Sequence, residues 1–240
     1  MGRTIGALHG ECRATHFRNA DAATKQTVEV HPVKVAGAAF LAGAIPFSNL
    51  AARRRAGVDL RDVGPGTVSG TSLYAVAGFG PLAVAGVCDV AKGAVGPLLA
   101  GRDRPVLAAV AGGLAVAGHN WSPFLRGAGG RGLSPTIGAL LPRAWPGAVV
   151  VLGGMTLGRF ARHTGLGSFV AQCALVPFLA RVRGRDAALA GAFVVLPMFA
   201  KRLAGNTPPA TRDVATYVRR LVFDNDTDDD NDDETTDVVA

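Results

Sequence analysis

Read for its alternation of apolar and polar positions, the chain shows long apolar stretches separated by short runs of Gly, Pro and Arg. The stretches are too long for strands and fit helices. They predict membrane segments at Val33–Ala52, Pro81–Ala100, Pro105–Leu125, Leu133–Leu141, Trp145–Ala161, Leu166–Ala180 and Ala187–Leu203. A helix needs about 20 apolar residues, roughly 30 Å, to cross a bilayer. Leu133–Leu141 is too short to cross alone, and Pro142 and Pro146 blur its end. The expectation is an all-α, polytopic integral membrane bundle of about seven segments, one short; six with one re-entrant is the rival count.

Composition supports a lipid setting. Of 240 residues, 49% are hydrophobic and 18% charged, with 32 Gly and a mean hydropathy of +0.28. Small residues let helices approach closely in lipid, and this apolar fraction excludes a disordered chain. The net charge of +7 hides two regions. Ahead of Asp224, 25 bases face nine acids, a balance of +16; from Asp224 onward there are nine acids and no base. The bases fall in clusters between apolar runs, such as Arg53–Arg55 and Arg181–Arg185. That is the pattern of membrane flanks facing anionic headgroups, not of a nucleic-acid-binding module. The expected organisation is a polar extension (1–32), a membrane domain (33–205), a basic juxtamembrane segment (206–223) and a disordered acidic tail (224–240). Under the positive-inside rule the Arg53–Ser72 loop and the tail are cytoplasmic and the amino terminus is outside. Cys12, Cys88 and Cys173 are far apart and read as buried small hydrophobes, and the scattered His residues suggest no metal.

Three polar stretches carry candidate chemistry. The first, Gly57–Ser72, is rich in glycine and hydroxyls. Backbone N–H groups of Gly64, Gly66 and Gly70, with Thr67, Thr71 and Ser72, suit an anion nest, though the same composition also makes a plain tight loop. The Walker A spacing is absent. The second is Asp89-Val-Ala-Lys92-Gly93 inside an otherwise uncharged run. Asp89 and Lys92 share a helical face and can pair structurally, but ionisable groups in a span usually face a polar cavity. In the third, Gly118–Gly132, a helix ends at His119 and Asn120. A flexible basic loop follows, in which Gly129, Gly130, Arg131 and Gly132 can wrap an anion.

In order and spacing these stretches resemble the PlsY-type acyl-phosphate:glycerol-3-phosphate acyltransferase family. Gly43–Phe47 is similar to its GSIPF segment, Gly57–Ser72 to its GxDxRxxGSGNxGATN loop, Asp89–Gly93 to its DxxKG helix and Gly118–Pro135 to its GHxxPxFxxFKGGKGVAT loop. The likeness runs from about Val33 to Gly205. Pro65, Thr67 and Ser72 stand where the first loop has Ser, Asn and Asn, and Ala75 replaces the following Arg. Ala128 and Arg131 replace two lysines of the later loop, and of the third family motif only Lys201 and Gly205 remain.

The resemblance implies transfer of an acyl group from acyl phosphate to a glycerol phosphate hydroxyl in a cell membrane, in phospholipid synthesis, without a cofactor or metal. It implies His119 and Lys92 as catalytic residues. Gly64, Gly66, Thr67, Gly70, Thr71, Ser72, Asn120, Gly129, Gly130, Arg131, Gly132 and Lys201 become substrate-binding. Partners would be the two phosphate substrates and membrane lipids. Two other readings stay open: a lipid- or phosphate-binding homologue without catalysis, and a small anion or lipid transporter. The enzyme reading requires the two glycine loops to lie together at one membrane face.

Overall fold

The computed structural model describes residues 31–64, 66–209 and 211–224; the polar extension through residue 30, Pro65 and the acidic tail beyond Asp224 lie outside them. The described residues form nine α-helices and no strand. These are α1 (Pro32–Ala44), α2 (Phe47–Ala56), α3 (Gly70–Ala77), α4 (Phe79–Ala100), α5 (Pro105–Asn120), α6 (Leu133–Phe160), α7 (Thr164–Arg183), α8 (Arg185–Ala204) and α9 (Val214–Phe223). The run through α1 and α2, together with α4, α6, α7 and α8, is long and apolar enough to cross a membrane. Their outward residues, such as Phe79, Val87, Leu98 and Leu196, are exposed as lipid-facing positions are.

Local chemistry explains where the helices stop. Pro46 cannot continue the α1 ladder, so the chain breaks there and restarts as α2. Gly57 closes α2 in the left-handed conformation (φ 69°) with its N–H on the Arg53 carbonyl. Ser69 caps α3 by accepting from the Ser72 N–H.

Length alone would let the 28-residue α6 cross once. Its contacts show otherwise. Ala144, between Pro142 and Pro146, has non-helical angles (φ −133°, ψ 40°). Just before it, Arg143 donates to the carbonyls of Gly101 and Arg102, and just after it, Trp145 lies under Arg183. Both outer ends of α6, by contrast, adjoin the glycine loops: Gly132 begins it, and its far end leads within a short turn to Gly165, which touches the carboxyl end of α9. The arms before and after Ala144 therefore run in opposite directions, and Leu140 meets Gly147 across the turn. These arms cover the residues of two expected segments, Leu133–Leu141 and Trp145–Ala161.

Close approach of backbones sets the depth of the polar groups. A Cβ on Gly93 would strike the Pro135 backbone, and one on Gly118 would strike the Phe40 backbone. α4 thus touches the start of α6, and α5 touches α1, with no side chain between. The main apolar core joins α5, α6, α7 and α8 through Val116, Leu140, Val151, Leu175, Leu179, Val194 and Met198. A smaller cluster, including Leu60, Val68, Leu73 and Leu125, lies under the loops. Of the described cysteines, Cys88 is half-buried and Cys173 is exposed on α7, so the expectation of buried cysteines fails for Cys173, and Cys12 lies outside the described residues. In a membrane bundle the lipid is as apolar as the core, and composition does not separate the two.

Candidate active site

A narrow cleft opens between the α1–α2 corner, the middle of α4, the end of α5 and the two glycine loops. Ile45, Ser48, Val68, Asp89, Lys92, His119, Gly129 and Gly130 are among its walls. Lys92 and Asp89 are both about 95% buried and paired at 2.7 Å. The Lys92 ammonium also donates to the Ile45 carbonyl at 2.6 Å, and it lies 5.6 Å from the Phe47 ring centre. Ser48 donates to the other Asp89 oxygen at 3.4 Å. An ammonium has three donors, so one remains for an anion in the cleft. His119 Nδ1 lies 3.9 Å from Asp89 Oδ1, and the Nε2 side of its ring is so close to Gly130 that a Cβ there would collide with it. A buried cation, a buried carboxylate and an imidazole thus meet in one partly dry place, where charges act strongly on a substrate.

The two loops touch. The Val68 N–H reaches the Gly129 carbonyl at 3.4 Å. Asn206 clasps both loops: its amide donates to the Gly129 carbonyl (3.1 Å) and to Thr67 Oγ1 (3.4 Å), and its carbonyl oxygen accepts from the Gly129 N–H (3.4 Å). The Gly129 N–H is spent in this clasp, and that of Gly130 on the His119 carbonyl. These glycines therefore shape the wall by backbone proximity, and cationic side chains are left to attract an anion. Asn206 was missed by sequence reading because it follows the last family-like residue, Gly205, and belongs to no periodic pattern.

The remaining predicted residues serve the frame around the cleft. Gly64 and Gly66 adopt left-handed angles (φ 52° and 67°) in the first loop. Gly70, Thr71 and Ser72 form the first turn of α3, with Ser72 Oγ donating to the Thr67 carbonyl at 2.9 Å. Gly132 (φ 77°) caps α6. Asn120 is fully buried and donates to the Pro197 carbonyl at 2.8 Å, tying α5 to α8. Buried Lys201 lies 5.5 Å from the Trp121 ring centre. Arg131 Nε pairs with Asp224 at 2.8 Å and its Nη1 donates to the Lys201 carbonyl at 3.3 Å. Under the first loop, Asp59 is gripped by Arg53 and Arg61, whose guanidinium groups hold its carboxyl far below the usual carboxylate range.

Fold and site together define a polytopic helical membrane protein with a buried Lys–Asp–His cleft roofed by two glycine loops. Residues 33–206 match the family model described as glycerol-3-phosphate acyltransferase. The chain is 41% identical over 146 residues to glycerol-3-phosphate acyltransferase 2 of Moorella thermoacetica, covering 59% of this chain and 73% of that protein. It is 37% identical over 144 residues to glycerol-3-phosphate acyltransferase 5 of Dehalococcoides mccartyi (strain ATCC BAA-2266 / KCTC 15142 / 195), covering 59% and 61%. These alignments, and one at 42% identity covering 52% of a Thermus thermophilus enzyme, span from about half to three quarters of the relatives. In fold it is similar to the crystal structure of PlsY, an integral membrane glycerol 3-phosphate acyltransferase, in its glycerol 3-phosphate form. That likeness has a TM-score of 0.61 and 24% identity and covers 69% of this chain and 87% of that one. The chain belongs to the glycerol-3-phosphate acyltransferase family of integral membrane enzymes.

Proposed function

We propose that the cleft transfers an acyl group from an acyl phosphate to a hydroxyl of glycerol 3-phosphate, giving lysophosphatidate for phospholipid synthesis. Family membership supports the acceptor and the reaction class. The observation that carries the mechanism is buried Lys92, held by Asp89 and Ile45 in the wall of the cleft. An acyl phosphate is already activated, so the reaction needs no covalent enzyme intermediate. The hydroxyl oxygen attacks the acyl carbon, the acyl–phosphate C–O bond breaks, and inorganic phosphate leaves. Two anions must be held together, which Lys92 favours by charge and Gly129 and Gly130 favour by placing no side chain in the cleft wall. His119, with Asp89 behind it, is placed to orient the hydroxyl or accept its proton. His119 and Lys92 are therefore the assigned catalytic pair, and Gly129 and Gly130 the substrate-facing backbone.

The loop face carries Arg53, Arg54, Arg55, Arg61, Arg126, Arg159 and Arg162; the opposite ends carry Arg102, Arg104, Arg143 and Arg181–Arg185. The positive-inside rule therefore supports a cell membrane orientation with the cleft and carboxyl terminus cytoplasmic. The test is incubation of the purified full chain with acyl phosphate and radiolabelled glycerol 3-phosphate. Equal amounts of lysophosphatidate and inorganic phosphate are expected, and none when acyl-CoA replaces acyl phosphate. Binding of glycerol 3-phosphate without product would refute the enzyme reading and leave a binding homologue.

A further inference from the structure

The carboxyl-terminal helix α9 lies beyond the family match, which ends at residue 206, and its amphipathy is inverted. Thr216 and Arg220 on one face are buried against the protein, while Val214 (79% exposed), Tyr217 and Val218 (50%), on the other side of the helix, point outward. A water-facing helix does the reverse, placing its apolar stripe inward. The inward face is firmly held. Buried Arg220 donates to the carbonyls of Ala204 (3.3 Å) and Thr207 (3.1 Å). Buried Arg202 donates to the carbonyls of Leu221 (2.8 Å) and Gly165 (3.1 Å) and to Ser168 Oγ (2.6 Å). The Phe223 backbone packs so closely on Gly165 that no side chain would fit there. The apolar face is thus presented outward by a rigid mount.

Its surroundings say what covers it. Only residues 205–213 separate α9 from membrane helix α8, and Asp224 reaches Arg131 of the glycine loop, so α9 lies at the loop face of the bundle. At that same end α6 finishes with exposed Leu157 and Phe160, and exposed Arg159 and Arg162 accompany them. α9 itself carries exposed Arg219, with exposed Arg212 just ahead of it. Ten residues, about 15 Å, cannot cross a bilayer. An apolar stripe joined to a lipid-facing flank and edged by arginines is the make-up of a helix lying in the membrane interface.

We propose that α9 is an interfacial helix whose outward Val214, Tyr217 and Val218 enter the boundary of headgroups and acyl chains while Arg212 and Arg219 contact anionic headgroups. The partner is the surface of a bilayer containing anionic lipid. The helix thereby fixes the carboxyl side of the cleft to the membrane plane and holds Asp224 against Arg131.

The test uses the full chain in nanodiscs with Val218→Trp, read by difference from the wild-type tryptophans. Lipid brominated near the headgroup should remove at least half of the added emission, with little quenching by aqueous iodide. Iodide quenching without bromolipid quenching would place the face in water and overturn the proposal. Insensitivity to both, with a cross-linked dimer through residue 218, would assign the face to a second copy and overturn it equally. A second measurement needs no substitution. Each basic residue at an anionic surface strengthens binding about fivefold and Arg212 and Arg219 compound to about 25-fold, so amide exchange over 214–223 should be slower by about that factor in phosphatidylglycerol than in phosphatidylcholine nanodiscs. Arg212→Gln with Arg219→Gln should abolish that difference. Equal exchange of the wild type in both lipids would refute the headgroup contact. Neither measurement depends on acyl transfer, so failure of the proposed activity would leave this inference standing.

Discussion

Replacing Lys92 separates a structural ion pair from a catalytic cation. Lys92→Met leaves the Asp89 carboxylate with only Ser48, at 3.4 Å, as a hydrogen-bond donor in a site about 95% buried. Breaking a buried pair by removing one partner costs about 3–5 kcal/mol. The single variant should therefore assemble poorly in detergent, and its low activity would be ambiguous. Asp89→Leu together with Lys92→Met removes both charges. Such apolar replacements of buried pairs are often neutral or better, so thermal stability should return to the wild-type level.

Activity should not return. A hydrogen bond from an ammonium to an anion contributes about 1.5–3 kcal/mol, and 1.36 kcal/mol is tenfold in rate, so the folded double variant should lose roughly 10- to 150-fold in kcat/KM. The assay is lysophosphatidate formation by the purified double variant, normalised to folded protein by its melting curve. A double variant that melts like the wild type and turns over at the full rate would remove Lys92 from the mechanism.

Three other perturbations address the frame of the cleft. Gly130→Ala puts a methyl where the His119 ring now lies and against the Val68 carbonyl, so it should displace the imidazole, lowering kcat about 100-fold and stability by about 1–3 kcal/mol; an unchanged kcat would dissociate His119 from turnover. Asn206→Ala unclasps the two loops and should raise the KM for glycerol 3-phosphate about tenfold with kcat nearly constant, a loss worth about one hydrogen bond. Asp59→Asn should destabilise the first loop at neutral pH. Because the native Asp59 carboxyl is held low by Arg61 and Arg53, its contribution is complete above the unfolded pKa, about 4, and fades as pH falls further towards the native value. The wild-type and variant melting temperatures should therefore converge towards pH 2, and a gap that stays constant would refute the ion-pair account.

What was legible in the sequence follows from range. Helix positions were readable because the apolar pattern and its Gly and Pro breaks are local signals, and the four motifs in order located the cleft's Lys92 and His119. The reversal at Ala144 was half-visible: Pro142 and Pro146 marked a break but could not give its direction, which rests on Arg143 reaching Gly101, more than 40 residues away. The clasp by Asn206 joins residues 77 and 139 positions apart, and no periodicity encodes such pairings. Arg131 illustrates the same gap from the other side. Its residue type and glycine neighbours suit a phosphate, yet its partners in the fold are the Lys201 carbonyl and Asp224.

Two departures from the family pattern find partners at or just past the end of the matched region. Thr67, where the family has Asn, receives the amide of Asn206. Arg131, where the family has Lys, pairs with Asp224 beyond α9. The arginine is explained by geometry: its Nε and Nη1 reach Asp224 and the Lys201 carbonyl at once, joining the glycine loop, α8 and the end of α9. A lysine ammonium is a point donor on a flexible stem and cannot reproduce that fork. Arg131→Lys, though it restores the family residue, should therefore loosen α9, costing about 1 kcal/mol of stability and speeding amide exchange at residues 220–224 several-fold. Asp224→Ala should do the same, and adding it to Arg131→Lys should add little, because both remove one contact. Additive losses, or unchanged exchange in Arg131→Lys, would show that Arg131 is not what fastens α9 to the cleft.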